Sequence, residues 1–188
     1  VAMSADGTRI AIGIGTSYNF VRCRSLSGKV RVYDWQGGDW IQVGNDIEGE
    51  AARDGFGGSV AMSADGLRIA ISARFSNGGG TLSGQVRVYD LQNGDWIQVG
   101  NDIHGELGSK SGDSVAMSAN GTRIAIGAKD SDGQSTDGNF IRDSGHVRVF
   151  DLQGGDWIQV GNDIDGEAKD DKSGESVAIS ADGTRIAI

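Results

Sequence analysis

The chain has 188 residues, 32 of them glycine and none proline, and carries a formal charge of −9 with a pI near 4.6. That acid surplus argues against nucleic acid or an anionic membrane surface as partner, since both select basic faces. A single cysteine, Cys23, excludes an intrachain disulfide, and no run approaches the ~20 apolar residues of a membrane-spanning helix, so no membrane insertion is expected.

Two segments recur along the chain. VAMSADGTRIAI at residues 1–12 returns with small changes at 60–71, 115–126 and 177–188. SGKVRVYDWQGGDWIQVGNDIEGE at 27–50 returns at 83–106 and 144–167. Repetition of this kind marks an array of supersecondary units, none of which can bury its own face alone. The units are 1–59, 60–114 and 115–176, and residues 177–188 open a fourth.

Within the first unit, residues 1–4 form a short apolar strand and Ala5-Asp6-Gly7 a tight turn, since Asp-Gly favours hairpins. Residues 8–13 are the return strand and 14–27 a long loop. Residues 28–35 form a third strand, Gln36-Gly37-Gly38-Asp39 a second tight turn, and 40–43 a fourth strand. A connector, 44–59, leads to the next unit. The pattern has period two throughout, so the elements are antiparallel strands and the fold class is all-β.

One face of the first two strands carries Val1, Met3, Ile10 and Ile12, and the other Ala2, Ser4, Ala11 and Gly13. Bulk on one face and small residues on the other suit sheets stacked face to face. The loop between the second and third strands varies in length between units, while the connectors and tight turns are nearly constant. Specificity is therefore expected in that loop, since binding residues sit on loops held by a rigid frame.

Four-stranded units repeated by stacking are the pattern of β-propeller blades. The stretch RDGFGGSVAMSADGLRIAISA (residues 53–73) resembles the FG-GAP repeats of the integrin α-subunit head: Phe-Gly leading into a strand, a turn, then an apolar strand. Three features depart from that family. Phe56-Gly57 becomes Ser111-Gly112 and Ser173-Gly174. The Gly-Ala-Pro ending survives only as Gly127-Ala128. The Asp-x-Asp-x-Asp-Gly calcium loop is reduced to Asp6-Gly7, Asp65-Gly66, Asn120-Gly121 and Asp182-Gly183, too few oxygens for calcium. VRVYDLQNGDW also resembles the third strand of WD-repeat propellers, whose repeats are shorter.

The resemblance implies a non-catalytic extracellular or cell-surface module with an adhesive, structural or binding role. An intracellular WD-like scaffold is the alternative. No enzyme is expected, because no convergent catalytic set is visible. A protein or glycan partner is expected on one rim, where Asp46, Asp102 and Asp163 meet the variable loops carrying Tyr18, Phe20, Arg74 and Phe75. Further repeats, from the same chain or a copy, are expected to cover the outermost sheets.

No cofactor is expected. If a cation binds, it is expected at Asp130, Asp132 and Asp137 in the acidic loop of the third unit. Asn120 begins an Asn-Gly-Thr glycosylation sequon on a tight turn.

The recurring Arg9, Arg68, Arg123 and Arg185, with Asp34, Asp90 and Asp151, read as repeated inter-strand ion pairs. Trp40, Trp96 and Trp157 read as core anchors of the fourth strand. His104 and His146 fall at non-equivalent positions and read as solvated surface, from which no metal triad is built.

Overall fold

The computed structural model describes residues 1–14, 27–134 and 140–188. Among them all repetitive structure is strand, paired antiparallel throughout, and there is no helix. The chain is therefore all-β, as the period-two pattern requires.

Each unit builds one sheet. The first strands are Ala2–Met3, Phe56–Met62 and Ser114–Met117. The second strands are Arg9–Ile14, Arg68–Ala73 and Arg123–Ala128. The third are Lys29–Gln36, Gln85–Gln92 and His146–Gln153, and the fourth Asp39–Gln42, Asp95–Gln98 and Asp156–Gln159.

A fifth strand, absent from the sequence-based expectation, lies in the connector: Ile47–Glu48, Ile103–His104 and Ile164–Asp165. It pairs with the start of the third strand, so that Lys29 faces Glu48, Gln85 faces His104 and His146 faces Asp165. Two residues carry no readable period, which is why the pattern hid it. The second sheet also begins earlier than expected, at Phe56, with a register shift before Val60. Residues 177–188 contribute the pair Ala178–Ile179 and Ile186–Ala187.

The turns follow from their residues. Asp6 Oδ1 accepts hydrogen bonds from Thr8 N (3.0 Å), Thr8 Oγ1 (2.9 Å) and Ser4 Oγ (2.7 Å). These donors, the Thr8 amide foremost, hold its carboxyl down at about 2. Asp65 and Asp182 close their own turns with the same set of positions. The second hairpin needs two consecutive residues at positive φ, and Gly37-Gly38, Asn93-Gly94 and Gly154-Gly155 supply them.

The core lies between sheets, not within them. Ile69, Ile71 and Val60 of the second sheet pack on Ala11, Val30 and Val32 of the first. Val115, Ile124 and Ile126 of the third pack on Ala61, Ala70, Val86 and Val88 of the second. The large face of each sheet thus fills the space left by the small face of the one before. Each fully buried isoleucine contributes about 1.5–3 kcal/mol.

Polar contacts fix the stacking angle. The first turns join in a backbone chain, Ala5 N to Ala64 O (2.9 Å), Ala64 N to Ala119 O (2.8 Å) and Ala119 N to Ala181 O (2.9 Å). The recurring arginines form intra-sheet pairs and also cross between sheets. Arg68 Nε and Nη2 grip Asp90 Oδ1 and Oδ2 at 2.5 and 2.7 Å, and its Nη1 donates to Gly121 O of the next unit at 2.9 Å. Arg9 does the same with Asp34 and Gly66, and Arg123 with Asp151 and Gly183. The receiving residue is glycine for two reasons: φ is +71° at Gly66, and a Cβ there would meet Arg9 Cδ at 3.0 Å.

On the fourth strands, Trp96 Nε1 donates to Val43 O and Trp157 Nε1 to Val99 O, both at 3.1 Å. Beside them Asn45 and Asn101 bind Asp95 and Asp156 of the following unit. Trp96 and Trp157 are buried as expected of core anchors, whereas Trp40 is 36% exposed.

Substitution Arg68→Ala removes a bidentate, charge-assisted pair and an inter-sheet bond, and is expected to lower stability by about 2 kcal/mol. Arg185→Ala, at the matching but exposed position of the last hairpin, is expected to stay within about 0.5 kcal/mol. Urea midpoints of the two variants measure the difference.

Candidate functional site

The rim where the third strands begin and the connectors return carries an aspartate at the same position of each unit, Asp46, Asp102 and Asp163. In the first two units that carboxylate is clamped. Arg31 Nε and Nη2 bind Asp46 Oδ1 and Oδ2 at 2.9 and 3.0 Å, and Lys29 Nζ adds a contact at 2.5 Å. The Arg31 and Lys29 hydrogen bonds hold the Asp46 carboxyl well below the usual range. Arg87 grips Asp102 at 3.0 and 2.8 Å and also meets Glu50 at 2.5 Å. Burial works against charge on Asp102, but Arg87 and Gln98 outweigh it and its carboxyl is lowered.

The third unit departs from this pattern. Arg148, the counterpart of Arg31 and Arg87, turns to the second sheet, where Nη2 donates to His104 O at 3.0 Å. Asp163 keeps only Gln159 Nε2, at 2.6 Å, as side-chain partner among the described residues. His146 stands where Lys29 and Gln85 stand in the other units. It is 3% exposed, and its Nε2 has no hydrogen-bond partner among the described residues. Ligand atoms of His146, Asp163 and Asp165 lie within 4.8 Å of one another. Burial, and then the Arg148 charge, push the His146 imidazole down, against a smaller opposing pull from Asp163, Glu106 and Asp165.

The sequence reading of His146 as solvated surface, with no place in a metal-ligand group, is therefore corrected. Position alone gave no reason to bury it. The assembled sheet buries it, as it buries Gln85 of the second unit, and the fifth strand lays Asp165 directly opposite. His104, its neighbour in type, is exposed. The signal that could have found the site is the pair of coincident departures: His146 against Lys29 and Gln85, and Asp165 against Glu48 and His104.

The other candidates are dispersed. Tyr18 and Phe20 lie outside the described residues, as does Asp137. Arg74 forms an ion pair with Asp113, at the far end of the same unit, and stacks over the Phe75 ring at 4.4 Å. Lys129 and Glu175 form the matching pair of the third unit at 2.8 Å. Asp130 binds Lys110 Nζ at 2.9 Å, and Asp132 Oδ1 accepts from the Asp143 amide at 2.8 Å. Asn120 is exposed, with Oδ1 accepting from Thr122 N and Oγ1 and from Ser118 Oγ.

No family model matches the chain, and no curated protein matches it. Among solved structures, it is similar to a candidate 6-phosphogluconolactonase from Bacteroides uniformis, with 13% identity and a TM-score of 0.57. The likeness covers 98% of this chain and 44% of that protein, so the chain spans under half the length of the structure it resembles. At that identity the likeness concerns the fold.

Two expectations are corrected by it. FG-GAP kinship has no support, because no such family matches and the similar structure is of another kind. The reading as a non-catalytic extracellular adhesion, structural or binding module, with a WD-like scaffold as its alternative, also falls, because this architecture is carried by a protein named for an enzymatic activity. The sequence-based exclusion of an enzyme rested on finding no convergent titratable set. His146, Asp163 and Asp165 are such a set, assembled across a strand pair that the sequence did not reveal.

Because the folded imidazole is depressed, the unfolded chain takes up a proton first as pH falls below about 6.5, and stability is lost through that range. His146→Gln places at this position the residue that the second unit already carries. It is expected to flatten the decline in urea midpoint between pH 7.5 and 5.5. An unchanged slope would show that His146 is not the buried neutral group.

Proposed function

We propose that the three sheets are consecutive blades of a β-propeller, with residues 177–188 opening a fourth, and that the protein is a hydrolase of a cyclic sugar-acid ester of the 6-phosphogluconolactone class. The likeness to the candidate lactonase across 98% of the chain supports the scaffold and suggests the substrate class, and the observation that carries the chemistry is the convergence of His146, Asp163 and Asp165. The third-unit rim supports it chemically. Opening a lactone requires a water deprotonated as it attacks the carbonyl and a cation near the developing oxyanion. His146 with Asp163 and Asp165 offers the water-activating side. Arg148, whose buried Nε has no partner among the described residues, offers the cation.

Water adds to the carbonyl carbon, the ring C–O bond breaks, and the acid formed releases one proton at neutral pH. Proton release is therefore the readout, measured with a pH indicator on 6-phosphogluconolactone and corrected for spontaneous opening. The chain is expected to accelerate the reaction, and Arg148→Gln to lower kcat/KM by about 10²-fold. A rate equal to the spontaneous one would reject the reading.

Known propellers close with about 4–8 blades, so further units are expected beside these three. The contact they would make is already repeated inside the chain. Asp39 and the exposed Trp40 are the half that, in later units, receives the preceding Asn and Val. Val160 and the exposed Asn162 are the matching other half. A second unit of the same pattern, in this chain or in a copy, fits between them head to tail. Light scattering of the 188-residue chain is expected to show concentration-dependent association that Trp40→Ala and Asn162→Ala each weaken. A monodisperse monomer at all concentrations would contradict it.

A further inference from the structure

Four buried side-chain polar atoms lack a hydrogen-bond partner among the described residues, and three belong to Ser144, His146 and Arg148. These residues alternate along a single short stretch of the third unit. A native fold keeps few such atoms, because each costs about 1–3 kcal/mol. Their concentration in one place calls for a ligand.

The second unit shows what the same three positions look like when satisfied. Ser83 Oγ donates to Ser76 O at 3.3 Å and accepts from Gly79 N at 3.1 Å. Gln85 Oε1 accepts from Ser76 Oγ at 2.9 Å. Arg87 holds Asp102 through two bonds. In the third unit each of the three positions has an unpaired atom, and the carboxylate that arginine would clamp is released beside a buried imidazole.

We propose that the third-unit rim is a binding site for a divalent transition-metal ion of the zinc type, held by His146, Asp163 and Asp165. The three side chains come from the third strand and the connector, and their ligand atoms already lie within 4.8 Å of one another. One imidazole nitrogen and two carboxylate oxygens match zinc chemistry, in which three protein ligands leave a fourth position for water or substrate. Calcium is a poor fit, since it takes six to eight oxygens.

The metal requires a neutral imidazole, and burial favours one here. Arg148 is the opposing charge nearby, but its Nη2 is directed to the His104 carbonyl, and Glu106 adds a third carboxylate to the local field. The other rims cannot repeat the site. Lys29 and Arg31 already occupy Asp46, and Arg87 clamps Asp102 through two bonds, with Gln85 in place of the buried imidazole.

The proposed binding stands on this geometry alone. Only the idea that the ion activates the attacking water rests on the lactonase reading. The test therefore uses metal without substrate: calorimetric titration of the chain with Zn²⁺, and with Co²⁺ to read the visible absorption of a low-coordinate site. One ion per chain is expected, with the Co²⁺ spectrum of a nitrogen- and oxygen-ligated centre.

His146→Gln and Asp163→Asn are each expected to weaken binding by at least about tenfold, while Asp130→Asn and Asp132→Asn leave it unchanged. Circular dichroism of His146→Gln, which restores the residue of the second unit, reports whether the sheet is intact. Absence of binding by the wild-type chain, or binding that survives His146→Gln in the folded variant, would overturn the proposal. Metal binding without lactone hydrolysis would leave the site standing and reject only the proposed activity.

Discussion

The structure depends on one repeated contact: an arginine that grips an aspartate of its own sheet with two bonds and a turn carbonyl of the next sheet with a third. Hydrophobic burial drives the sheets together but does not set the angle between them. A charged bidentate pair has fixed geometry, so Arg9, Arg68 and Arg123 tie the register inside each sheet to the position of its neighbour. The glycine that receives the third bond is needed for its positive φ and for the room its missing Cβ leaves. Alternating large and small faces then complete the packing, with Ile69 and Ile71 filling the space above Ala11.

A frame repeated so closely makes departures informative. The same Arg–Asp logic operates a second time on the rim, where Arg31 and Arg87 neutralise Asp46 and Asp102. It stops at the third unit. Redirecting Arg148 toward His104 O removes the clamp from Asp163, and replacing Lys29 or Gln85 by His146 puts a potential ligand where a stabilising partner stood. Such a change costs stability unless something occupies the gap, because buried polar atoms without partners are expensive. Function in this molecule is read from the place where the repeat gives up its own stabilising contacts.

The fold and the site carry different kinds of information. Stacked antiparallel sheets serve many activities, and a likeness at 13% identity transfers the scaffold and not the chemistry. The rim chemistry stands on the positions of four side chains. Kinship read from a Phe-Gly and a few turn residues did not survive comparison, because those residues answer to strand and turn geometry shared by unrelated repeats.

The sequence by itself determined the all-β class, the limits of most four-strand elements to within a residue or two (the early start at Phe56 apart), both hairpin turns and the order of bulky and small faces. All of these follow from local spacing: period two, Asp-Gly and Gly-Gly turns, and recurrence of whole segments. It also marked Asp163 as a rim residue and Arg68 as a partner for Asp90. It did not reveal the two-residue fifth strand, the burial of His146 or the meeting of His146 with Asp163 and Asp165. Those depend on which connector residue lies opposite the start of the third strand and on where Arg148 points. Only the assembled sheets decide that, because the competing partners, Asp163 and the His104 carbonyl, come from different units of the chain.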